Sequence, residues 1–248
     1  METGIFKNFI FFIKKPDNNK KEDMTSSQKL IELLKLYLIT LLFAMLISIV
    51  NKILIKLGAY GEYTQNLGNL PKLHNKAFIW TYLIFGLVWP PIIEEFAFRL
   101  LLTKYNKKFI SISISLITGL AIYRLFYSYL WHPQSSIIFN TVSYLYPVIF
   151  AIPIFATLHL IRFNFSNLWK NNFTLVFYLI TLTFALFHIF TLNITTTHLY
   201  YLPIVVLPFI LFGISLGFAR IRFGILYSII LHFLFNAPVI IKIMLSIN

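Results

Sequence analysis

The stretch IELLKLYLITLLFAMLISIVN, residues 31–51, decides the class of fold. Its charged residues, Glu32 and Lys35, both lie near its start, and the rest is almost entirely apolar. A helix needs about 20 such residues to cross the hydrocarbon core of a bilayer. The whole chain shares this character, because 58% of its 248 residues are hydrophobic and only 12% are charged. A soluble domain carries about 25% charged residues, so we predict an all-α, polytopic transmembrane helix bundle.

Further stretches have the length and apolarity of a membrane span. The seven predicted spans are 31–51, 77–101, 109–130, 136–162, 173–193, 199–219 and 223–245. This pattern predicts a cytoplasmic N-terminal tail (1–30), a first transmembrane helix with a polar linker (31–76) and an integral core (77–247). The chain has no cysteine, which excludes a disulfide framework and a thiolate metal site.

The basic residues predict how the helices are oriented. Lysine and arginine are concentrated in the N-terminal tail and in the loops after the second, fourth and sixth predicted spans, which share one side. The lysine-rich linker after the first span is an exception. Positive charge marks the cytoplasmic side, so we predict a cytoplasmic N terminus. The predicted location is the plasma membrane of a bacterium. The net charge of +13 is expected to face anionic lipid, and no nucleic-acid partner is predicted.

The stretch PPIIEEFAFRLL, residues 90–101, places two carboxylates and an arginine inside the second predicted span. An acidic residue at the centre of a membrane helix costs about 2.5–3.5 kcal/mol. Glu95 and Arg99 are four residues apart and are predicted to form an ion pair on one helix face. Glu94 points elsewhere without a local partner, which suits a general acid or base; a purely structural charge pair is the alternative. The prolines are expected to start a new helix near Pro91.

Two of the six histidines lie deep in apolar stretches. These are His188 in the fifth predicted span and His232 in the seventh, and Asn236 follows His232 by one helical turn. Neutral imidazoles and a carboxylate can bind a metal, and they can equally position a water without one; satisfied packing is the alternative for each. The other histidines are expected near a helix end (His159) or solvated in loops (His74, His132 and His198).

Three short motifs occur in order along the chain: Glu94-Glu95-x-x-x-Arg99, Phe184-x-x-x-His188 and His232-x-x-x-Asn236. In a polytopic chain this set resembles the CPBP family of intramembrane proteases (CAAX protease and bacteriocin-processing, also called Abi). The best-known branch of that family is the type II CAAX prenyl endopeptidase. The resemblance covers about residues 85–240 and implies a peptidase core within 77–247.

The resemblance implies an endopeptidase in which a glutamate activates the attacking water. Glu94 would be the general base, His188 and His232 would orient the water or bind a metal, and Asn236 would stabilise the oxyanion. Glu95 and Arg99, which are also candidate catalytic residues, would support this base through their ion pair. The implied cofactor is either a divalent metal such as zinc, held by Glu94, His188 and His232, or none. The implied partners are the bilayer and a peptide or membrane-anchored protein substrate, whether or not it is prenylated.

The chain departs from the family pattern between the first two motifs. Family members place them on adjacent spans, whereas two further predicted spans separate Glu94 from His188 here. We therefore predict a two-helix insertion at about 105–165. A second match to the loose histidine motif, Phe155-x-x-x-His159, lies inside this insertion. His188 is preferred because its surroundings predict a continuous apolar helix, although it is expected nearer to the outer end of that helix than the other site residues suggest.

Functions outside proteolysis are also open at this point. Intramembrane glutamate and histidine residues build proton or ion pathways in other membrane proteins. An inactive family member would instead act as a scaffold or in immunity to a peptide toxin. A pathway predicts transport without cleavage, whereas an enzyme predicts cleavage that depends on Glu94.

Overall fold

A computed structural model describes residues 4–18, 24–62, 64–65, 88–129, 145–161, 164–193, 198 and 200–245. The helices, numbered here in chain order, are α1 (Ile5–Lys14), α2 (Ser26–Lys56), α3 (Trp89–Phe98), α4 (Lys107–Tyr129), α5 (Tyr146–Leu160), α6 (Ser166–Asn171), α7 (Phe173–Phe187), α8 (Leu202–Arg222) and α9 (Ile225–Leu245). A 3-10 turn, His188–Thr191, follows α7. Strands β1 (Thr64–Gln65) and β2 (Leu192–Asn193) form one short antiparallel pair. Apart from this pair, the regular structure of the described residues is helical, which confirms the predicted all-α class.

Three segments of the described chain are long and apolar enough to cross a membrane: α2, α8 and Lys107–Leu125 of α4. They overlap the predicted spans 31–51, 199–219 and 109–130. Helices α5 and α7 and the first part of α9 are apolar but shorter. Parts of the predicted spans 77–101 and 136–162 lie outside the described residues, so the count of seven spans stays a prediction.

The described residues form two compact units. Unit 1 is drawn from Met1–Asn69 and Phe173–Tyr227, and unit 2 from Leu70–Asn172 and Ser228–Asn248. Unit 1 therefore contains α1, α2, α7 and α8, and unit 2 contains α3 to α6 together with α9 from Ser228 onward.

Helix α8 is the centre of unit 1, where it packs against α2 and α7. A buried polar contact joins two of these helices, because Thr40 Oγ1 of α2 lies 2.8 Å from Ser215 Oγ of α8. Because each hydroxyl has one hydrogen, one of them donates to the other, and the second donates to a carbonyl one turn earlier in its own helix, that of Leu36 for Thr40 or that of Leu211 for Ser215. The polar side chains are thus hydrogen-bonded although they are buried, as interiors require.

Helix α1 belongs to the core of unit 1, although the first 30 residues were expected to form a tail. Phe9 and Phe12 on one face of α1 are fully buried. Phe9 packs edge-on against Phe218 of α8, with ring centroids 5.5 Å apart. Phe12 makes similar contacts with Phe218 and with Phe177 of α7, each at 5.1 Å. Aromatic side chains at a helical spacing therefore fix α1 to two other helices.

His198 of unit 1 contradicts the expectation of a solvated loop histidine. Its side chain is buried, with 1% of its surface exposed. Nε2 lies 2.8 Å from the Gly61 carbonyl oxygen, and the ring packs against Tyr60, whose hydroxyl donates to Asn51 Oδ1 at 2.9 Å. The prediction was wrong because the segments after α2 and before α8 cover one another, which the local sequence does not reveal.

Unit 2 is built on a close pair of helices, α4 and α5. Gly119 of α4 makes the close approach possible, because a Cβ there would lie 2.2 Å from the Pro147 carbonyl oxygen. Helix α3 packs against α4, and Ser113 of α4 donates a 3.2 Å hydrogen bond to the Phe96 carbonyl. This packing sets α3, which carries both glutamates, against a fixed helical neighbour.

Candidate functional site

Helix α3 positions the glutamate pair through the prolines that precede it. The helix begins at Trp89 with proline in its first turn and ends at Phe98, which confirms the predicted helix start near Pro91. Proline suits this place because its missing N–H would have no partner in the first turn. The start at Trp89 puts Glu94 and Glu95 in the middle of a short helix, where they point in directions about 100° apart.

Glu95 is the most enclosed acidic residue in the described chain, with no exposed surface. His232 Nδ1 of α9 lies 2.9 Å from Glu95 Oε1, and Ser228, one turn earlier in α9, donates its hydroxyl hydrogen to Oε2. Arg99 Nε lies 3.8 Å from the same Oε2, which confirms the predicted ion pair on α3. A carboxylate only accepts hydrogen bonds, so His232 donates from Nδ1.

Glu94, which was predicted to have no partner close to it in the sequence, has partners from two other helices. Arg124 of α4 approaches Glu94 Oε1 at 3.7 Å, and His232 Nε2 lies 3.8 Å from Oε2. Local spacing identified only Arg99 as a partner for the pair, because Arg124 and His232 reach Glu94 through the packing of unit 2. The imidazole of His232 therefore faces both carboxylates, one through each ring nitrogen.

Two residues of this cluster, Ser228 and Arg124, were missed in the sequence. Ser228 precedes His232 by four positions and so shares its helix face, a spacing that was available as a signal. Arg124 lies inside the predicted span 109–130, where a charged residue is expected to have a partner. Both signals are weaker than the three motifs from which the other site residues were predicted.

Asn236 continues the same face of α9, one turn after His232. Its side chain is partly buried in unit 2. Ser228, His232 and Asn236 thus form a polar row at intervals of four residues along an otherwise apolar helix. Such a row presents a hydroxyl, an imidazole and an amide towards one side of α9.

His188 belongs to unit 1, whereas the glutamates, His232 and Asn236 belong to unit 2. Its ring stacks on Phe209 of α8, with centroids 4.9 Å apart, and packs against Phe184 at 4.4 Å. Nδ1 lies 2.9 Å from the Phe184 carbonyl oxygen; a carbonyl accepts, so Nδ1 carries the hydrogen. The expected continuous helix around His188 was wrong, since α7 ends at Phe187 and a 3-10 turn begins at His188. His188 thus directly follows the last residue of α7, and its expected depth in the membrane stays a prediction.

His159, the other candidate for the first histidine motif, lies at the end of α5 in unit 2. Its side chain is exposed, and its ring stacks on Phe155 with centroids 5.6 Å apart. Lys107 of α4 donates to the His159 carbonyl oxygen at 3.3 Å. These contacts account for His159 as part of the packing where α4 begins and α5 ends.

The cluster on α3 and α9 is suited to holding and moving a proton. The His232 imidazole lies between the carboxylates of Glu94 and Glu95. The guanidinium groups of Arg99 and Arg124 balance the negative charge. No group of three or more histidine, cysteine, aspartate or glutamate side chains in the described residues is placed to hold a metal ion.

No family model matches this chain, and neither a curated protein nor a solved structure matches it. The resemblance to the CPBP family consequently rests on the three short motifs and their order.

Proposed function

We propose that the protein is an intramembrane endopeptidase of the CPBP type, which hydrolyses a peptide bond with a glutamate-activated water. The observation that carries this proposal is the contact of His232 with Glu94 and Glu95. Two motifs far apart in the sequence thereby supply a base and an imidazole to one buried place. A cluster held out of bulk water strengthens each polar interaction within it.

In the proposed reaction, Glu94 takes a proton from a water molecule as the hydroxide oxygen attacks the carbonyl carbon of the substrate. The Asn236 amide donates to the oxyanion of the tetrahedral intermediate, the type of contact that stabilises such charge. The proton then passes to the amide nitrogen, the C–N bond breaks, and a carboxylate and an amine are released. His232, facing Glu94 through Nε2, stabilises the proton while it resides on the carboxyl group.

Glu95 is proposed to act on the reaction through His232. It holds Nδ1 by a hydrogen bond and is itself held by Ser228 and Arg99, so the Nε2 side of the ring stays directed at Glu94. Outer partners of this kind fix the tautomer and orientation of a functional imidazole. The proposal also assigns a water-orienting role to His188. This role rests on the resemblance of the motif Phe184-x-x-x-His188.

The proposed setting is a bacterial plasma membrane crossed seven times, with the N terminus in the cytoplasm. The substrate class is a peptide or a membrane-anchored protein, because the charged cluster lies on helices that the sequence places within the bilayer.

The decisive test compares new protein N termini in bacterial membranes that contain the native protein or a variant, using isotopic labelling of N termini and mass spectrometry. We expect Glu94→Gln, His232→Ala and His188→Ala to lower the yield of native-dependent termini by about 10²-fold or more, as loss of an acid–base group does. His159→Ala is the matched control and is expected to retain cleavage. Identical termini with the native protein and with Glu94→Gln would exclude the peptidase.

One observation favours a proton pathway as the second candidate. The ring nitrogens of His232 face different carboxylates, an arrangement that allows a proton to enter the imidazole at one nitrogen and leave from the other. Proteoliposomes with a pH gradient and a pH-sensitive dye inside separate the two functions. A pathway predicts that the native protein dissipates the gradient, that Glu94→Gln does not, and that no cleavage occurs with either.

A further inference from the structure

We propose that the outer face of helix α1 binds the surface of a bilayer that contains anionic phospholipid. The face consists of Phe6, Lys7, Phe11 and Lys14, continued by Lys15 directly after the helix. The proposal concerns unit 1 alone and does not depend on the function assigned to the glutamate cluster.

The inner face of α1 is occupied by packing within unit 1, and its outer face is exposed in the part of the chain that the structure describes. Ile5, Phe9 and Phe12 are buried, and the two phenylalanines pack on rings of α7 and α8. Further contacts hold the last turn of the helix and the chain directly after it. Tyr178 of α7 donates its hydroxyl hydrogen to the Ile13 carbonyl, and Thr174 donates to the Pro16 carbonyl at 3.0 Å.

The outer face combines exposed aromatic rings with lysine. Phe6 and Phe11 have 53% and 55% of their surface exposed, and the lysines are exposed as well. Lys7 and Lys14 are seven residues apart and so lie on one stripe, with Phe6 and Phe11 on either side of it. The Lys7 ammonium lies 5.8 Å from the centre of the Phe11 ring. Aromatic residues flanking a basic stripe are typical of a helix that lies in the membrane interface.

The positive charge of this face is not neutralised by the acidic residue beside it. Asp17 is the only acidic residue within 4–18, and Arg222 binds its carboxylate through two hydrogen bonds, at 2.8 and 2.7 Å. Asp17 is thus engaged by α8, and the lysines of α1 are left to face a negative surface. Phosphate headgroups supply such a surface, and the phenylalanines enter the apolar layer beneath them.

The position of α1 in unit 1 fits a membrane interface. It packs where α8 ends, at Phe218 and Arg222, and where α7 begins, at Phe177. Helix α8 is long and apolar enough to span a bilayer, and the arginines of its last turn mark that end as the cytoplasmic one. Anionic lipid is concentrated in the cytoplasmic leaflet, so α1 lies beside the leaflet that its charge fits.

The test uses spin labels on the full chain, which has no native cysteine. The variant Phe11→Cys is labelled with a nitroxide and placed in nanodiscs of phosphatidylcholine, with or without phosphatidylglycerol. Power saturation then measures how accessible the label is to oxygen and to a water-soluble nickel chelate. We expect phosphatidylglycerol to raise the access to oxygen and to lower the access to nickel. A label at exposed Glu62, outside the helix, is expected to remain water-accessible in both discs.

Charge removal completes the test. Replacing Lys7 and Lys14 by glutamine is expected to abolish the effect of phosphatidylglycerol, whereas Lys52→Gln with Lys56→Gln, an equal loss of exposed charge on α2, is expected to preserve it. Equal nickel access in both discs would overturn the proposal. Spin–spin broadening at Phe11→Cys, which reports a second copy of the chain on this face, would overturn it too.

Discussion

His232 occupies a position in which each of its ring nitrogens faces a different carboxylate. Nδ1 lies 2.9 Å from Glu95, and Nε2 lies 3.8 Å from Glu94. The state of one carboxylate therefore affects the other through the imidazole, and substitutions in the three residues are expected to be non-additive. The cluster behaves as a unit whose members cannot be assigned separate contributions.

Ser228 gives the first prediction at the scale of a single residue. Its hydroxyl donates to the fully buried Glu95 carboxylate, so Ser228→Ala removes a donor and leaves that oxygen less satisfied. We expect a loss of about 1–3 kcal/mol in the free energy of unfolding, measured by thermal or denaturant unfolding in detergent. Ser228→Thr keeps the hydroxyl and is expected to stay close to the native protein. Equal losses in both variants would show that side-chain volume, not the hydrogen bond, matters there.

The sequence was informative at this scale only where both partners lie on one helix. The spacing of Glu95 and Arg99 predicted their ion pair, and the structure contains it. The partners of Glu94 could not be predicted in the same way, because Arg124 and His232 approach it from helices that are distant in the chain. Spacing within a helix is local information, whereas the approach of two helices depends on the packing of all the side chains between them.

At the scale of elements, hydropathy located the long helices and missed α1. The predicted span 199–219 differs by about three residues at each end from α8, Leu202–Arg222, a typical error for helix ends. The segment of α1 was predicted as part of the N-terminal tail, because it is too short to cross a bilayer. Its signal was the spacing of Ile5, Phe9 and Phe12, which places three apolar side chains on one face.

Substitutions of Phe11 and Phe12 test whether α1 is held in unit 1 by its buried face. Phe12 is 1% exposed and contacts rings of α7 and α8, so Phe12→Ala is expected to cost about 3–5 kcal/mol and to release α1 from unit 1. Limited proteolysis near residues 14–18, together with thermal unfolding, measures both effects. Phe11→Ala removes the same side chain from the exposed face and is expected to leave the stability in detergent nearly unchanged. Similar behaviour of the two variants would contradict the packing of α1.

At the scale of the whole molecule, the number of spans decides which sides of the membrane the two termini occupy. The predicted seven spans would put them on opposite sides, and the loop charges predict a cytoplasmic N terminus. Because the chain has no cysteine, single substitutions report each side directly. We expect a membrane-impermeant maleimide to label Asn248→Cys on intact bacteria and Gly4→Cys only after lysis, with both labelled in detergent. Labelling of both residues on intact cells, or of neither, would indicate an even number of spans.

The partners of Glu94 and Glu95 are synthesised one after another, at widely separated points of the chain. A nascent chain emerges from its N terminus, so α3 leaves the ribosome together with Arg99 and before Arg124 of α4. His232 is synthesised 137 positions after Glu95. The glutamate helix therefore gains its contact with the imidazole only once the chain has been made as far as α9, so the charged cluster is completed later than the helix that carries both carboxylates.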